Sequence, residues 1–482
     1  MNELLRNVPN GLLIGGDYVA ASDGSEFEVI DPATGEVVAM VASGSPDDAV
    51  AAVAAAHDAA AAWSATAPRE RGEILRRSFE AMIARRDEIA SVIVLESGKS
   101  WNDAVGEVNY AAEFFRWFSE EAVRVDGGLK RAPAGDKNIL TLLQPVGVSI
   151  LVTPWNFPAA MATRKIGPAL AAGCTVVLKP ASDTPLTALL IAELMREAGL
   201  PDGVVNVLPS RRSGATVGAM LADHRTRKVS FTGSTEVGVK LLEGAARNVL
   251  KSSMELGGNA PFLVFADADI DAAVEGAMIA KMRNGGESCI AANRFLVEAA
   301  VVDAFSEALA ARMAALRVGP GLERHNDVGP VINQAAREEI HGFVEEGVDG
   351  GGKVLTGGTL PDGPGFFYLP TVIRDVRPDA KLLRQEIFGP VAPIVSFEGE
   401  EEGIRMANDT EFGLASYVYS GDLGRAMRVA EGIEAGVVGI NRGFVSDPSA
   451  PFGGTKLSGL GREGAHDGLL EFIETKYVAV DW

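Results

Sequence analysis

The sequence predicts an α/β protein with parallel sheets, because short apolar segments alternate with helical segments over most of its length. Apolar segments lie at 148–152, 175–178 and 204–208, and segments with helical periodicity lie near 159–171 and 185–198. Strands that are apolar throughout are typical of parallel sheets, since helices cover both faces of such sheets. We therefore expect a helix-covered parallel sheet in this part of the chain.

A second series of alternating strands and helices begins near residue 261 and continues to about residue 440. The chain has 482 residues, of which 47% are hydrophobic. This length exceeds what one compact core usually contains, so we expect two or three domains, each with a well-buried core.

The N-terminal part precedes the first series and has a different pattern. Residues 8–44 form short alternating segments bounded by turn residues, which predict strands and turns. Ser45-Pro46-Asp47-Asp48 predicts a helix start, and the Ala-rich residues up to Trp63 continue that helix. Two or three further helices are expected up to about Phe118.

Two segments fall outside these series. Residues 127–146 interrupt the first domain, and residues 472–478 near the end alternate like a strand. By composition alone, the first of them could be an ordinary hairpin.

Composition excludes several classes of function. A formal net charge of -21 argues against nucleic acid or an anionic membrane as partner. No apolar run is long enough for a transmembrane helix, and the N-terminus lacks a signal-peptide pattern. Two cysteines do not make a disulfide framework and fit a reducing compartment, so we expect a cytoplasmic protein. The five histidines are scattered, which predicts no metal site.

Three polar residues form a candidate catalytic set. Cys289 lies in a polar, Gly-rich segment, Glu255 precedes Gly257 and Gly258, and Asn156 lies between two prolines. A thiol nucleophile, a carboxylate base and an amide donor suit attack on a carbonyl and stabilisation of the oxyanion. Separately, Cys289 could be structural, Glu255 a solvated carboxylate at a strand end and Asn156 a turn residue. The other cysteine, Cys174, is expected to be buried.

The segment 233–238 is a candidate cofactor site. Gly233 permits a tight turn after a strand, and Ser234 can cap the helix N-terminus at which a phosphate docks. Lys179 ends another strand, at the sheet edge where doubly wound folds bind ligands. A strand–turn–helix junction also needs Gly and Ser without a ligand, so the pattern alone leaves both interpretations open.

Taken together, these segments resemble the aldehyde dehydrogenase superfamily in order and spacing over nearly the whole chain. Within it, the sequence is most similar to the succinic semialdehyde dehydrogenases. The segments that carry the resemblance are 154–158, 179–182, 231–238, 255–262, 283–294, 386–390 and 451–463, together with 161–165, 281–284 and 444–446 for the semialdehyde group.

The resemblance implies an aldehyde dehydrogenase-like α/β fold with an atypical Rossmann cofactor domain, a second α/β catalytic domain and a β-strand oligomerisation arm. The NAD(P)-binding domain would comprise residues 1–126 and 147–255, and the catalytic domain residues 256–445. The arm would comprise residues 127–146 and 465–482. A homodimer or homotetramer is expected.

The resemblance also implies NADP or NAD as cofactor. Many NAD-preferring relatives carry Glu where this chain has Ser182, which is small and leaves room for a 2′-phosphate, although the neighbouring Asp183 could repel that phosphate. NADP is therefore expected to be accepted. The cofactor-binding residues implied by the resemblance are Trp155, Lys179, Ser182, Gly233, Ser234, Glu386 and Phe388. An exposed Glu386 beside a packed Phe388 is the alternative for the last two.

The implied reaction is covalent. Cys289 attacks an aldehyde to give a thiohemiacetal, Asn156 and the backbone N–H of Cys289 hold the oxyanion, and Glu255 activates the water that hydrolyses the thioester. Because few unperturbed thiols are ionised at neutral pH, the site must lower the pKa of Cys289 or supply a base.

In the semialdehyde group, residues matching Arg164, Arg283 and Ser446 bind the distal carboxylate of the substrate. Two arginines can hold a carboxylate by charge-assisted, bidentate hydrogen bonds. Structural salt bridges are the alternative for the arginines, and Asp447 could neutralise the site. Glutarate semialdehyde, an uncharged aldehyde, or a non-catalytic binding role therefore stay open as alternatives to succinic semialdehyde.

Overall fold

The computed structural model describes residues 3–482, so residues 1 and 2 of the predicted first domain lie outside it. The N-terminal strands are β1 Leu12–Ile14, β2 Asp17–Val19, β3 Glu26–Ile30 and β4 Val37–Ala42, and the helices are α1 Pro46–Ala65, α2 Pro68–Ala84, α3 Arg86–Ser97 and α4 Trp101–Glu121. Helix α1 begins as expected. Ser45 Oγ accepts the N–H of Asp48 and the Asp48 carboxylate accepts the N–H of Ser45, which forms a capping box.

The first large sheet follows two interrupting strands, β5 Gly128–Arg131 and β6 Asn138–Pro145. Its elements are β7 Val148–Val152, α5 Pro158–Ala172, β8 Val176–Lys179, α6 Leu186–Glu197, β9 Val205–Val207, α7 Ser213–Ala222, β10 Thr226–Thr232, α8 Thr235–Ala246 and β11 Lys251–Glu255. Strands β7 to β11 pair in parallel in the order β9-β8-β7-β10-β11. Strands β1 and β2 extend the sheet beyond β9 in antiparallel orientation.

The second large sheet belongs to the second series. Its strands and helices are β12 Ala260–Val264, α9 Ile270–Met282, β13 Ala292–Glu298, α10 Val302–Ala314, α11 Gln334–Asp349, β14 Lys353–Thr356, β15 Thr371–Arg374, β16 Val391–Phe397, α12 Gly399–Asn408, β17 Phe412–Gly413, β18 Ala415–Tyr419, α13 Leu423–Gly432 and β19 Val437–Ile440. All of these strands except β17 pair in the order β14-β15-β16-β13-β12-β18-β19. The expected α/β alternation is thus present in both series.

The C-terminal segment returns to earlier parts of the chain. It contains β20 Thr455–Lys456, β21 Gly459–Leu460, α14 Ala465–Leu470 and β22 Ile473–Val480. Strand β21 pairs antiparallel with β11, so Gly459 lies opposite Glu255 at the edge of the first sheet. The parallel pattern read from the sequence did not include this edge strand, because a strand of two residues carries no periodic signal.

Strand β22 pairs with β6 over eight residues, and β6 also pairs with β5. Residues 127–146 therefore form a hairpin, and its second strand also pairs with the C-terminal strand β22, which gives a three-stranded sheet. The segment is thus a hairpin, as its composition allowed, and it also pairs with the tail, as the resemblance implied. Its side chains include the exposed Leu129, Tyr477 and, just beyond the sheet, Trp482. The assignment of this sheet as an oligomerisation arm, like the domain boundaries, stays a prediction.

Each large sheet is packed between helices. In the first, α4 lies against α5 through fully buried phenylalanines, Phe114, Phe115 and Phe118. In the second, the rings of Phe262, Phe295 and Tyr417 pack against one another within the sheet layer. None of the helices in residues 3–482 has both the length and the apolar composition needed to cross a membrane.

Candidate active site

A cavity of about 910 Å³, partly open to solvent, lies between the two large sheets. It contains Cys289, and its wall includes nine other residues that the sequence predicted for the site. Those nine are Trp155, Asn156, Arg164, Gly233, Ser234, Arg283, Glu386, Phe388 and Ser446. Three predicted residues, Lys179, Ser182 and Glu255, are not part of this wall. The fold therefore brings together residues that are up to 291 positions apart, from Trp155 to Ser446.

Cys289 follows a kinked segment in which the chain changes direction after α9. Asn284 and Gly285 both have positive φ, 55° and 60°, in a short 3-10 helix at Arg283–Gly286. Asn is one of the few non-glycine residues that adopt this left-handed conformation readily, which suits it to the turn before Cys289. Its side chain is fixed, because Nδ2 donates to the backbone oxygens of Asn156 (3.1 Å) and Glu287 (2.9 Å).

Asn156 lies on the loop between β7 and α5 and is only 5% exposed. Its Nδ2 donates to the backbone oxygen of Glu287 at 3.1 Å, which ties it to the segment that carries Cys289. The amide nitrogen has two hydrogens, so one remains for an oxyanion. The alternative of a simple turn residue does not account for a buried side chain bonded across to the second α/β series.

Glu255 ends β11 and is 3% exposed, and neither carboxyl oxygen has a hydrogen-bond partner within residues 3–482. Buried carboxyl groups are almost always hydrogen-bonded, so this one is a candidate for a functional group. Burial raises its pKa well above the usual value, and the nearby Glu463 adds to the rise, whereas Arg164 and Lys165 oppose it. A carboxylate with a raised pKa is a stronger base. Because the side chain is buried, the alternative of a solvated carboxylate is wrong.

The glycine pair after Glu255 allows the backbone to approach Cys289 closely. A Cβ atom on Gly258 would overlap the backbone oxygen of Cys289, and one on Gly257 would lie 3.2 Å from Glu386 Oε2. Only glycine fits at Gly258 without moving the catalytic segment.

The pKa of Cys289 is raised to about 12. Burial is the main cause and Glu386 adds to it, whereas the charges of Arg164 and Arg283 lower it. Of the two routes to a thiolate that the sequence left open, the surroundings of Cys289 oppose a lowered pKa and favour removal of the proton by a base. The thiol needs a base to take its proton. The other cysteine, Cys174, is fully buried as expected.

One end of the cavity has the features of a phosphate-binding site. Gly233 and Ser234 lie at the N-terminus of α8, where Ser234 caps the helix, and both line the cavity that contains Cys289. A helix N-terminus next to a glycine turn is a phosphate-binding arrangement. This end of the cavity can therefore accommodate a pyrophosphate.

Elsewhere in the cavity wall, Phe388 has φ 50°, which is strained for a non-glycine residue, and packs edge-to-face on Trp155 with ring centroids 5.3 Å apart. Glu386 Oε1 accepts the N–H of Gly258 at 3.2 Å, and burial raises its pKa to about 8. The alternative of an exposed Glu386 is wrong, since this carboxylate lies in the cavity wall.

Lys179 and Ser182 lie at the carboxyl end of β8, away from the wall around Cys289. Lys179 is 4% exposed, and burial lowers its pKa to about 8 although the charge of Asp183 opposes this. A nearly buried lysine at a sheet edge, with no ion pair in residues 3–482, suits a polar ligand there. Ser182 is half-buried and leaves its position at that edge without a carboxylate.

The two arginines have different surroundings. Arg283 has no ion pair among the described residues, and its guanidinium lies 4.6 Å from the ring centre of Phe157, 4.8 Å from that of Phe444 and 5.6 Å from that of Tyr110. Tyr110 in turn shares a 2.5 Å hydrogen bond with Ser446. Sequence reasoning missed all three aromatic residues, because single aromatic positions carry no local signal of a shared site.

Arg164 is 3% exposed, and its Nε lies 2.7 Å from Glu463 Oε2, while its guanidinium stacks 3.9 Å from the centre of the Phe452 ring. The Nε–Oε2 contact lacks hydrogen-bond geometry, so Arg164 Nε and Nη2 have no hydrogen-bond partner in residues 3–482. The alternative of a structural salt bridge is thus partly correct for Arg164. Glu463 lay within a motif that the sequence singled out, but nothing there indicated its partner.

Asp447, which could have neutralised the arginines, does not do so. Its carboxylate accepts the N–H of Ser449 at 2.8 Å and the Ser449 hydroxyl at 2.6 Å. No ion pair within residues 3–482 joins it to Arg164 or Arg283.

Comparison with known proteins gives this cavity its context. The family model "Aldehyde dehydrogenase family" matches residues 18–478. The chain belongs to the aldehyde dehydrogenase family. This confirms both the resemblance read from the sequence and the enzyme class, and the non-catalytic alternative has no support in the geometry around Cys289.

Two relatives with high sequence identity are named as semialdehyde dehydrogenases. The chain is 55% identical to a succinate-semialdehyde dehydrogenase of Paenarthrobacter nicotinovorans, over 92% of this chain and 99% of that protein. It is 48% identical to a glutarate-semialdehyde dehydrogenase of Pseudomonas putida, over 97% of each chain.

The fold is also that of solved structures of similar enzymes. The crystal structure of an E. coli NADP dependent enzyme matches with a TM-score of 0.97 and 45% identity, over 98% of each chain. The predicted fold class is thereby confirmed.

Proposed function

We propose that this aldehyde dehydrogenase oxidises an ω-carboxyl aldehyde, succinic semialdehyde to succinate, with NADP or NAD. The observation that carries the proposal is a single cavity whose wall contains a partly buried cysteine and an arginine without a carboxylate partner, with the buried carboxylate of Glu255 outside this wall. Arginines inside a protein are costly without an anion, so a carboxylate ligand accounts for Arg283. The names of the two semialdehyde relatives support the same substrate class.

In the proposed reaction, the Cys289 thiol loses its proton and Sγ attacks the aldehyde carbon to form a thiohemiacetal. Because burial raises the pKa of the thiol to about 12, the proton must pass to a base. The charges of Glu386 and Glu255 both act on Cys289, and we assign the proton to Glu255, since Glu386 would hold the cofactor. Asn156 Nδ2 and the backbone N–H of Cys289 stabilise the oxyanion. Bound NAD(P) supplies the hydride acceptor.

The second half of the reaction releases the acid. Loss of hydride from the thiohemiacetal leaves a thioester on Cys289. Glu255 first releases to solvent the proton that it took from the thiol, and then takes a proton from the water that attacks the carbonyl carbon of the thioester. The C–S bond then breaks and the thiolate leaves. Gly233, Ser234, Glu386, Phe388 and Trp155 would hold the cofactor, with Lys179 and Ser182 at its adenosine end. We also propose a cytoplasmic homodimer or homotetramer joined through β5, β6 and β22.

The test is the initial rate of nicotinamide reduction with succinic semialdehyde, glutaric semialdehyde and butanal, each with NADP and NAD. We expect kcat/KM to be at least about 100-fold higher for succinic semialdehyde than for butanal, which corresponds to about 2.7 kcal/mol of transition-state discrimination. A preference for glutaric semialdehyde would change the chain length but keep the class. Equal values for butanal would exclude a carboxylate-binding role for Arg283.

A further inference from the structure

Lys99 is a buried cation outside the wall of the cavity. It lies between α3 and α4, and its side chain is 2% exposed. Its Nζ donates to the backbone oxygen of Asn156 at 2.7 Å and to Glu107 Oε2 at 2.5 Å. Burying an ammonium group is costly, so its placement under Asn156 calls for a reason beyond packing.

The partner of Lys99 fixes a second part of the site. Glu107 Oε1 accepts the backbone N–H groups of Ala159 (2.8 Å) and Ala160 (3.2 Å), the first turn of α5. Helix α5 has no side-chain cap of its own, so this carboxylate from α4 satisfies its free donors. The same helix carries Arg164.

Lys99 also contacts one of the aromatic residues around Arg283, Phe157. Its Nζ lies 4.4 Å from the centre of the Phe157 ring, and the Arg283 guanidinium lies 4.6 Å from the centre of the same ring. One ammonium group thus contacts the residue before α5, the peptide of Asn156 and the cap of α5.

We propose that Lys99 is a positioning residue for the oxyanion donor, holding the Asn156 peptide so that its side-chain amide points into the cavity. This rests on the proposed function, in which Asn156 stabilises the oxyanion. Lys99 touches neither substrate nor cofactor, and its effect passes through the Asn156 peptide and the Glu107-capped start of α5. Removing it should lower the rate of steps that form an oxyanion and leave other reactions of Cys289 unchanged.

The test compares wild type with Lys99→Met/Glu107→Gln, since Lys99→Met alone would leave a buried carboxylate unpaired and destabilise the fold. The amide oxygen that Glu107→Gln introduces can still accept the N–H groups of Ala159 and Ala160. A matched control is Arg71→Met, which removes a buried cation that bonds the backbone oxygens of Thr66 and of Ala171, at the opposite end of α5.

Three rates are measured on each protein: succinic semialdehyde oxidation, hydrolysis of p-nitrophenyl acetate, and alkylation of Cys289 by iodoacetamide. The first two form an oxyanion, whereas alkylation does not. We expect kcat for oxidation and ester hydrolysis to fall about 30- to 100-fold in the double variant, near the range seen when one oxyanion donor is lost. Alkylation and the KM for the semialdehyde should change less than about threefold, and Arg71→Met should leave all three rates within about threefold of wild type.

Two results would overturn the proposal. One is a double variant whose kcat stays within about threefold of wild type. The other is a fall in alkylation parallel to that in ester hydrolysis, which would mean a general loss of structure. Failure of the proposed function itself would differ from both, because wild type would then show no aldehyde oxidation that depends on Cys289.

Discussion

The regions around Arg283 and Arg164 contain the same residue type in the same cavity, but they give it opposite surroundings. Arg283 is enclosed by aromatic rings and has no acidic partner in residues 3–482, whereas Arg164 lies 2.7 Å from the Glu463 carboxylate. Glu463 also pairs with Lys165 at 2.5 Å and influences Glu255. We propose that the unpaired guanidinium of Arg283 binds the substrate carboxylate, whereas the paired guanidinium of Arg164 acts mainly on Glu255. Two side chains of the same type thus differ because one is paired with a carboxylate and the other is enclosed by aromatic rings.

The largest effect is expected from replacing Cys289, the residue on which both arginines act. The charges of both arginines lower the pKa of Cys289, so both act on the same thiol. Cys289→Ala should decrease kcat/KM at least about 10⁴-fold for every aldehyde, because the covalent route is lost. Steady-state rates with succinic semialdehyde and butanal measure this, and cofactor binding by fluorescence serves as the control for folding. A loss confined to one aldehyde would contradict a shared nucleophile.

Replacing the uncommitted arginine should change specificity. In Arg283→Met the charge-assisted bonds to the substrate carboxylate are lost while the apolar stem can still pack between the rings. We expect kcat/KM for succinic semialdehyde to fall about 100-fold, with butanal within about threefold of wild type. If kcat/KM falls equally for both aldehydes, Arg283 contributes to the reaction itself and not to binding of the substrate carboxylate. The proposed difference in role between Arg283 and Arg164 would then be wrong.

Replacing the paired arginine should affect both aldehydes and the pH dependence. Arg164 lowers the pKa of Glu255, so in Arg164→Met that pKa should rise further, since Glu463 keeps its ion pair with Lys165. The ionised form that activates water would then appear only at higher pH, and the acid limb of the kcat profile should move to higher pH. We expect a roughly tenfold loss near neutrality for both substrates, with partial recovery at alkaline pH. An unshifted profile together with a loss limited to the semialdehyde would assign Arg164 to the carboxylate instead.

The smallest effect is expected at the hydroxyl that links Tyr110 to Ser446. Tyr110→Phe removes this hydrogen bond and keeps the ring against Arg283. A neutral hydrogen bond contributes about 1 kcal/mol, so KM for succinic semialdehyde should rise about threefold to tenfold with little change in kcat. Ser446→Ala is the matched variant and should behave alike, and the double variant shows whether the two hydroxyls act as one unit. Additive losses would mean that they act separately.

The sequence was sufficient for the fold and for half of the residues of the cavity wall, because the family segments are local. Cys289, Asn156, Gly233 and Glu386 each lie in a short segment that resembles a segment of the family, so each could be assigned from that resemblance. The sheets could be predicted for the same reason, because a strand that is buried on both faces is apolar along its whole length and can be recognised within a few residues.

The sequence could not indicate interactions that depend on distant partners. The aromatic enclosure of Arg283 uses Tyr110, Phe157 and Phe444 from three separate segments, and the ion pair of Arg164 joins α5 to a residue almost 300 positions later. The raised pKa of Cys289 likewise depends on burial, which no local pattern reports.

By itself, then, the sequence determined which groups this enzyme carries: a thiol, a carboxylate, an amide and two guanidinium groups, set in strands, turns and helices that it also specified. The tertiary structure decided how those groups differ from one another. It buried Glu255 without a hydrogen-bond partner in residues 3–482, paired Arg164 with Glu463 and left Arg283 without an ion pair among the same residues. The physical reason is that desolvation and pairing depend on the atoms within a few ångströms of a group, and most of those atoms belong to residues far away in the chain.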